Sequence, residues 1–289
     1  MNPRLSLVVA TLGRVDEIAR LFRSLDAQTF RDFDVTIVDQ NDDDRLAVLE
    51  AQRWSFPLRR LRTPGERGAS RGRNRGWQAT TGEIVLFPDD DCWYPADFLA
   101  RAVAIFDATA CDVLGGRPAD ETGRTINGRF QPAALAVDRR TVWTTAMEWM
   151  VFFRRTVLER TGGFDEGVGV GAATPWQSAE IQDIILRALA AGFACRYDPD
   201  LIGHHPEDVA GPPDARARYK ARVYARGMGH VLRTHGYGLS NRGSWVLRPV
   251  AGSALSLLRG RAAMARWYAQ VAIGRLEGFT GRARALRRP

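Results

Sequence analysis

Leu5-Ser6-Leu7-Val8-Val9-Ala10 is apolar at all but one position, with none of the gaps a surface helix would show. Such a run reads as a parallel strand buried on both faces. Apolar residues then recur at Ile18, Leu21, Phe22 and Leu25, the spacing of one helix face. Asp34 to Asp39 is a second strand, ending in the polar turn Asp39 to Asp44, and Leu58 to Leu61 is a short third strand. Gly68 to Thr80 reads as a helix, Glu83 to Phe87 as a fourth strand, Phe98 to Phe106 as a helix, and Asp112 to Leu114 as another strand. Strands alternating with helices predict an α/β fold built on a doubly wound, mostly parallel sheet. Ligands of such sheets bind beyond the carboxyl ends of the strands.

The stretch from 116 to 210 is less regular. It holds a Gly-rich loop, Gly167 to Ala173, followed by Thr174-Pro175-Trp176-Gln177. That tetrapeptide has the form of an N-cap, Pro at N1 and Gln at N3, and predicts a helix start. Ile181, Ile184, Ile185 and Ala188 supply the apolar stripe of this helix, and Gly192 its stop. A strand is expected near Arg196-Tyr197, and from Pro212 onward the chain reads as helices rich in Arg, Ala and Leu.

Composition narrows the class. At 289 residues, 45% hydrophobic and 26% charged, the chain can bury a sizeable core and is not a disordered sequence. No leader with a small-residue cleavage site is legible, and no run reaches the roughly 18–20 apolar residues of a membrane span. Cys92, Cys111 and Cys195 are scattered and odd in number, which suits reduced, buried thiols. The charge is divided along the chain: residues 211–289 hold 16 Lys and Arg against 2 acids, while residues 1–210 are net acidic. A basic tail of this kind fits an anionic partner, either lipid or nucleic acid.

The segment Phe87-Pro88-Asp89-Asp90-Asp91-Cys92-Trp93-Tyr94-Pro95 leaves the apolar run Ile84-Val85-Leu86 and crowds three carboxylates into one turn. Adjacent carboxylates raise one another's pKa unless a cation compensates, and hard oxygen ligands suit Mg2+ or Mn2+. The competing reading is a solvated turn. Its position at the end of a buried strand favours metal. Trp93 and Tyr94 form either the wall of a cleft or the core under the next helix.

Asp39 ends the second strand on the same rim, as a base or ribose acceptor or as a turn residue. Gly68, Gly72 and Gly76 recur every four residues and leave a helix face bare, while Arg67, Arg71 and Arg75 run beside it with Arg73 and Asn74 between. These arginines meet a diphosphate or simply form a solvated basic face. Glu180 and Asp183, three apart, offer a carboxylate base beside the Gly-rich loop, or an ion pair of Asp183 with Arg187. His204 and His205 could complete the metal site or cap a loop. Walker, G-x-S-x-G, H-E-x-x-H and zinc patterns are absent, and no G-x-G-x-x-G follows the first strand, which argues against a dinucleotide dehydrogenase.

Taken in order, these motifs resemble the family-2 glycosyltransferases of GT-A fold, over roughly residues 4 to 207. Leu7 to Thr11 with Arg14 is similar to the family's nucleotide-contacting start, Val38-Asp39 to its second-strand acid, and Arg73-Asn74-x-Gly76 to its helix motif. Asp89-Asp90-Asp91 is similar to its D-x-D metal motif, Gly162-Gly163-Phe164-Asp165-Glu166 to its acceptor-side motif, and Glu180-x-x-Asp183 with Arg187 and Gly192 to its acidic run. Two departures stand out. Ile181 occupies the place of the family's base, so the base falls to Glu180 or Asp183. The turn Gln40 to Asp44 lacks the common Gly and Ser.

The resemblance implies an inverting, metal-dependent transfer from a nucleoside-diphosphate sugar to a hydroxyl of a saccharide or lipid-linked acceptor, as in cell-surface polysaccharide or glycolipid synthesis. The donor would meet Thr11, Arg14, Asp39, Arg71, Arg73, Asn74, Asp89 and Asp90, and the metal Asp91 and Asp89 with His204 or His205. Residues 1–210 would form the catalytic domain, divided at 115 into nucleotide and acceptor halves, with 211–289 a basic helical extension. Its mixture of Arg with Trp267, Tyr268 and aliphatic residues suits peripheral contact with the anionic inner face of the plasma membrane, from the cytoplasm. A transfer to polyprenyl phosphate is a close alternative. A nucleic-acid binder using the Arg-rich tail and a non-catalytic sugar-nucleotide sensor are alternatives of other classes, and no recognised nucleic-acid motif supports the former.

Overall fold

The buried apolar runs become strands of one sheet. The structure, a computed structural model, describes residues 2–207 and 211–287. Its elements in chain order are β1 (Leu5–Thr11), α1 (Asp16–Asp26), β2 (Phe33–Asp39), α2 (Ala47–Glu50), β3 (Leu58–Arg62), α3 (Ala69–Gln78), β4 (Ile84–Leu86), α4 (Phe98–Ala108) and β5 (Val113–Pro118). There follow β6 (Leu135–Ala136), two 3-10 turns (Thr141–Thr144 and Glu148–Met150), β7 (Val151–Arg154), α5 (Arg155–Thr161), α6 (Glu180–Ala190) and β8 (Cys195–Gly203). Three long helices close the described chain: α7 (Ala215–Thr234), α8 (Leu239–Leu258) and α9 (Ala262–Thr280).

The sheet has the strand order β3-β2-β1-β4-β7-β5-β8-β6. β1 pairs in parallel with β2 and β4, β2 with β3, and β5 with β8. β7 was not legible as a strand in the irregular middle of the sequence. It enters antiparallel between β4 and β5, its residues Val151, Phe152 and Phe153 wholly buried. It separates β3, β2, β1 and β4 from β5, β8 and β6.

The four-residue glycine repeat does what its spacing predicts. A Cβ at Gly76 would sit 2.1 Å from Val8 Cγ1, and one at Gly72 would sit 2.7 Å from the Ala10 Cβ. α3 therefore lies against β1 closer than any larger residue permits. Gly68 stands just before the helix with φ +116°. On α1, the predicted Ile18, Leu21, Phe22 and Leu25 are fully buried. All three cysteines are free and buried.

One local expectation is corrected. The N-cap pattern at Thr174 does not begin a helix; α6 starts at Glu180, after Ala179, whose backbone is left-handed at φ +72°. Thr174 and Gln177 instead close the preceding loop on itself. Gln177 accepts from the Gly171 N–H at 3.0 Å and donates to the Ala172 carbonyl at 2.7 Å, and Thr174 donates to the Gly167 carbonyl. Side chains able to cap a helix equally cap a turn, and the Gly-rich loop supplied nearer partners. The Ile stripe and the Gly192 stop, at φ +87°, are as the sequence predicts.

The chain divides into two compact units: Met1–Phe164 with Ile184–Glu207, and Asp165–Asp183 with Asp208–Pro289. The expected boundary near 210 placed the loop before α6 with the sheet. In the structure, Asp165–Asp183 groups with the helices through Ser178 Oγ donating to the Tyr224 carbonyl at 2.6 Å and Trp176 stacked on His230 at 4.6 Å. Within this second unit α7 and α9 touch backbone to backbone, a Cβ at Gly274 or Gly278 standing only 2.3 Å from a carbonyl of α7. Among the described residues no helix is long and apolar enough to cross a membrane.

Candidate active site

β4 ends at Leu86 and the chain turns at once through Pro88 to Cys92. Cys92 N–H donates to the Asp89 carbonyl at 3.3 Å, which tightens the turn and splays the three carboxylates. Asp90 turns toward the end of β1, where Thr11 Oγ1 donates to it at 2.6 Å and Arg14 Nη1 at 2.7 Å. Asp89 accepts from Arg73 of α3 at 2.9 Å, and Arg14 also pairs with Asp91. Burial pushes the Asp90 carboxyl up to about 6, despite Thr11 and Arg14. For Asp91 burial acts in the same direction but is outweighed by His205 and Arg14, which hold its pKa below the usual carboxylate range.

His205 reaches this turn because the end of β8 pairs with it. Trp93 and His204 form an antiparallel bridge, with N–H to carbonyl contacts of 3.0 and 2.9 Å. Successive side chains of an extended chain face opposite ways, so the two histidines separate. His204 is buried, its Nδ1 2.9 Å from the Ala119 carbonyl, and stays outside the acidic cluster. His205 stacks on Trp149 at 5.5 Å and brings Nε2 to 2.8 Å from Asp91 Oδ1. One ligand atom each of Asp89, Asp91 and His205 lies within 4.8 Å of the others.

The donor set fits a divalent cation. His205 Nδ1 faces the Pro206 carbonyl at 2.7 Å and must carry a proton to donate there. In the neutral ring Nε2 then presents a lone pair to the Asp91 carboxylate. Two acceptors at that distance require a proton or a cation between them. Burial lowers the pKa of His205, but the hydrogen bond and charge of Asp91 overcome this and raise it. Two carboxylates and an imidazole form a set that Mn2+ accepts readily.

The remaining predicted residues are placed as follows. Asp39 is wholly buried and both its oxygens are engaged: Arg60 donates to one at 2.9 and 2.6 Å, and Asn41 to the other at 2.9 and 2.7 Å. Asn41 in turn accepts from the Gly13 N–H at 2.7 Å. Asp39 thus shapes the rim by holding its neighbours. Asn74 clamps both backbone groups of Phe164 at 2.9 Å, tying α3 to the Gly162-Gly163 turn. Arg71 is half-buried on α3. Tyr94 belongs to the core, stacked on Phe98 at 4.2 Å and donating to the Trp149 carbonyl at 2.6 Å. Trp93 is half-exposed, with Arg20 over its ring at 4.0 Å.

In the second unit Glu180 is buried at the first turn of α6. Asp183 is buried too and accepts from His235 Nε2 at 2.7 Å. Arg187 donates to the Thr161 carbonyl at 2.7 Å. Sequence reasoning missed His235, Arg60 and Trp149. His235 is one of two histidines among the basic helices, Arg60 is one of several arginines in β3, and neither carried a local signal.

The sequence matches Glycosyl transferase family 2 over residues 6–172. Glycosyltransferase AglE of Haloferax volcanii is 24% identical over 216 residues, 71% of this chain and 67% of that protein. The GalNAc(5)-diNAcBac-PP-undecaprenol beta-1,3-glucosyltransferase of Campylobacter jejuni is 29% identical over 92 residues, 31% of this chain and 30% of that protein. Among solved structures, the mannosyltransferase PcManGT of Pyrobaculum calidifontis, in complex with GDP-Man and Mn2+, superposes with a TM-score of 0.66 at 16% identity, covering 96% of this chain and 87% of its own. S. aureus TarS 1-349, in complex with UDP-GlcNAc, does so with 0.58 at 20% identity, covering 96% and 92%. These structures share the fold. With strands ending in acids, an Asp-Asp-His cluster and a match across more than half its length, the chain belongs to glycosyl transferase family 2, has the GT-A fold and is a glycosyltransferase.

Proposed function

We propose that the chain transfers a sugar, with inversion, from a nucleoside-diphosphate sugar to a hydroxyl of a lipid-linked or saccharide acceptor, using Mn2+ or Mg2+. The cluster of Asp89, Asp91 and His205 at the end of β4 carries this reading. These three would hold the ion, and a divalent cation there supplies charge stabilisation to the departing diphosphate. Arg71 and Arg73 on α3 suit the diphosphate, since the planar guanidinium matches phosphate oxygens. Thr11, Arg14 and Asp90 gather at the end of β1 and would meet the nucleoside. Asp39 would act there through Asn41 and Arg60, and Asn74 by fixing Phe164.

Glu180 is the base by its place in the acidic run. Asp183 is committed to His235, which suits a positioning role. In the reaction the acceptor oxygen forms a bond to the anomeric carbon as the bond from that carbon to the diphosphate oxygen breaks. The hydroxyl proton passes to Glu180, and in-line attack inverts the configuration. Ile181, wholly buried where the family places its base, supports a second reading. A polyprenyl phosphate acceptor is already an anion and needs no strong base. The Campylobacter relative, whose name contains an undecaprenol carrier, supports a lipid-linked acceptor in either case. The basic helices suit a peripheral location at an anionic inner membrane face.

Thermal unfolding with a panel of nucleoside diphosphates, with and without Mn2+, tests the donor reading. One of them should raise the melting temperature only when the metal is present. Stabilisation by none would count against the whole proposal. Incubation with nucleotide sugars and isolation of the product then names the donor.

A further inference from the structure

α8 is built inside out. Several residues it turns toward its own unit are small or polar, beside Trp245 and the buried Pro249: Gly252 lies under the ring of Tyr268, Ser253 donates to the Ala265 carbonyl at 2.9 Å, and Ser256 is buried. The opposite face carries Leu247, Val250, Ala254, Leu257 and Leu258, at steps of three, four, three and one, and all are exposed. Leu247 is 66% exposed, Leu257 61% and Leu258 85%. At 100° per residue these positions span about a third of the helix circumference. A water-facing helix carries its polar residues on that side, so among the described residues this stripe is unpartnered.

The charges around it define the partner. Arg248 and Arg259, both exposed, follow one edge of the stripe, and Arg261 and Arg266 are exposed just beyond. Between residues 215 and 287 the single acid is Glu277, which is buried and paired with Arg222 and Arg226. Every exposed charge of the described chain from α7 onward is therefore positive. A second copy joined through the same face would bring arginines against arginines. An anionic lipid surface instead accepts the leucines among its acyl chains and the arginines among its phosphates. The helix is not apolar enough to span, so it lies in the plane of the interface.

We propose that the Leu247–Leu258 face of α8 is the membrane-inserting surface of this enzyme and selects anionic lipid. This rests on the reading of the enzyme as membrane-associated and assigns that contact to one helix face. The test uses the full chain and vesicles of phosphatidylcholine with and without 30% phosphatidylglycerol. The wild type should float with the anionic vesicles and remain in solution with the neutral ones. The double variant Leu257→Glu/Leu258→Glu should lose at least tenfold in vesicle partitioning, with an unchanged melting temperature because neither side chain is packed. Arg248→Glu/Arg259→Glu should lose the preference for anionic lipid.

If the wild type floats with neither vesicle, membrane association itself fails. If it floats and the leucine variant floats equally, association stands and this face is the wrong one. If the wild type is a dimer in sedimentation and the leucine variant a monomer with undiminished flotation, the face joins two copies of the chain and the proposal is overturned.

Discussion

His205 Nε2 lies 2.8 Å from Asp91 Oδ1, although the two residues are separated by more than a hundred positions in the chain. The contact exists because the backbone bridge between Trp93 and His204 delivers the end of β8 onto the acidic turn. It joins a nitrogen donor to a turn whose own side chains are carboxylates.

His205→Ala should therefore weaken Mn2+ binding by about tenfold or more, the low end of what losing a metal-site partner costs. His204→Ala, whose side chain bonds the Ala119 carbonyl, should leave the metal dependence unchanged. The measurement is a Mn2+ titration of thermal stability in the presence of the stabilising nucleotide. Equal midpoints for wild type and His205→Ala would remove the histidine from the metal site.

Glu180→Gln should bind the donor normally and lower transfer about 10²- to 10⁴-fold, the range expected for a lost general base. His235→Ala should have a smaller effect, expressed as a shift in the pH profile, because it acts through Asp183. Rates with a hydroxyl acceptor, beside donor-induced thermal shifts, separate the two. A Glu180→Gln enzyme of full activity on that acceptor would move the role of base to Asp183 or elsewhere.

Gly76→Ala should destabilise the sheet-containing unit by roughly 1–3 kcal/mol, the usual range for overpacking a well-filled core. The added methyl would meet both Val8 and Val38 on the underlying strands. Denaturant unfolding reads this directly. Gly211→Ala, where a Cβ has open space, is the control.

The second unit should be sensitive to acid through Glu277. Burial opposes its charge, but Arg222 and Arg226 prevail and lower its pKa to about 2. A carboxyl with a depressed folded pKa contributes stability above its unfolded value of about 4.5. That contribution is lost as pH falls from there through 2, and is worth about 3 kcal/mol when complete. Glu277→Gln should be less stable at pH 7 and should lose this part of the acid transition. Parallel unfolding curves of wild type and variant from pH 7 to pH 3 would refute the assignment.

Much of this protein was written locally. Short continuous apolar runs rich in Val, Ile and Leu and ended by polar turns read as strands buried on both faces, so β1, β2 and β4 were legible with their helices. The four-residue glycine repeat announced a helix lying close against a strand, because only a bare face permits that approach. The acids of the turn after β4 were visible because strand ends are where such folds hold ligands. What stayed hidden depends on residues distant in sequence. β7 is short and lies antiparallel between strands that surround it only once the sheet is formed. The cap at Thr174 was misread because a capping side chain satisfies whichever backbone group comes nearest, and the loop came nearer than the helix. Neither His204 nor His205 could be chosen from sequence, since the alternation of an extended chain assigns one to each side but not which side meets Asp91. The bridge to Trp93 made that choice. Likewise the sequence marked the basic tail as suited to a membrane surface without fixing which residues of α8 face out; packing turned Gly252, Ser253 and Ser256 inward and left the leucines exposed.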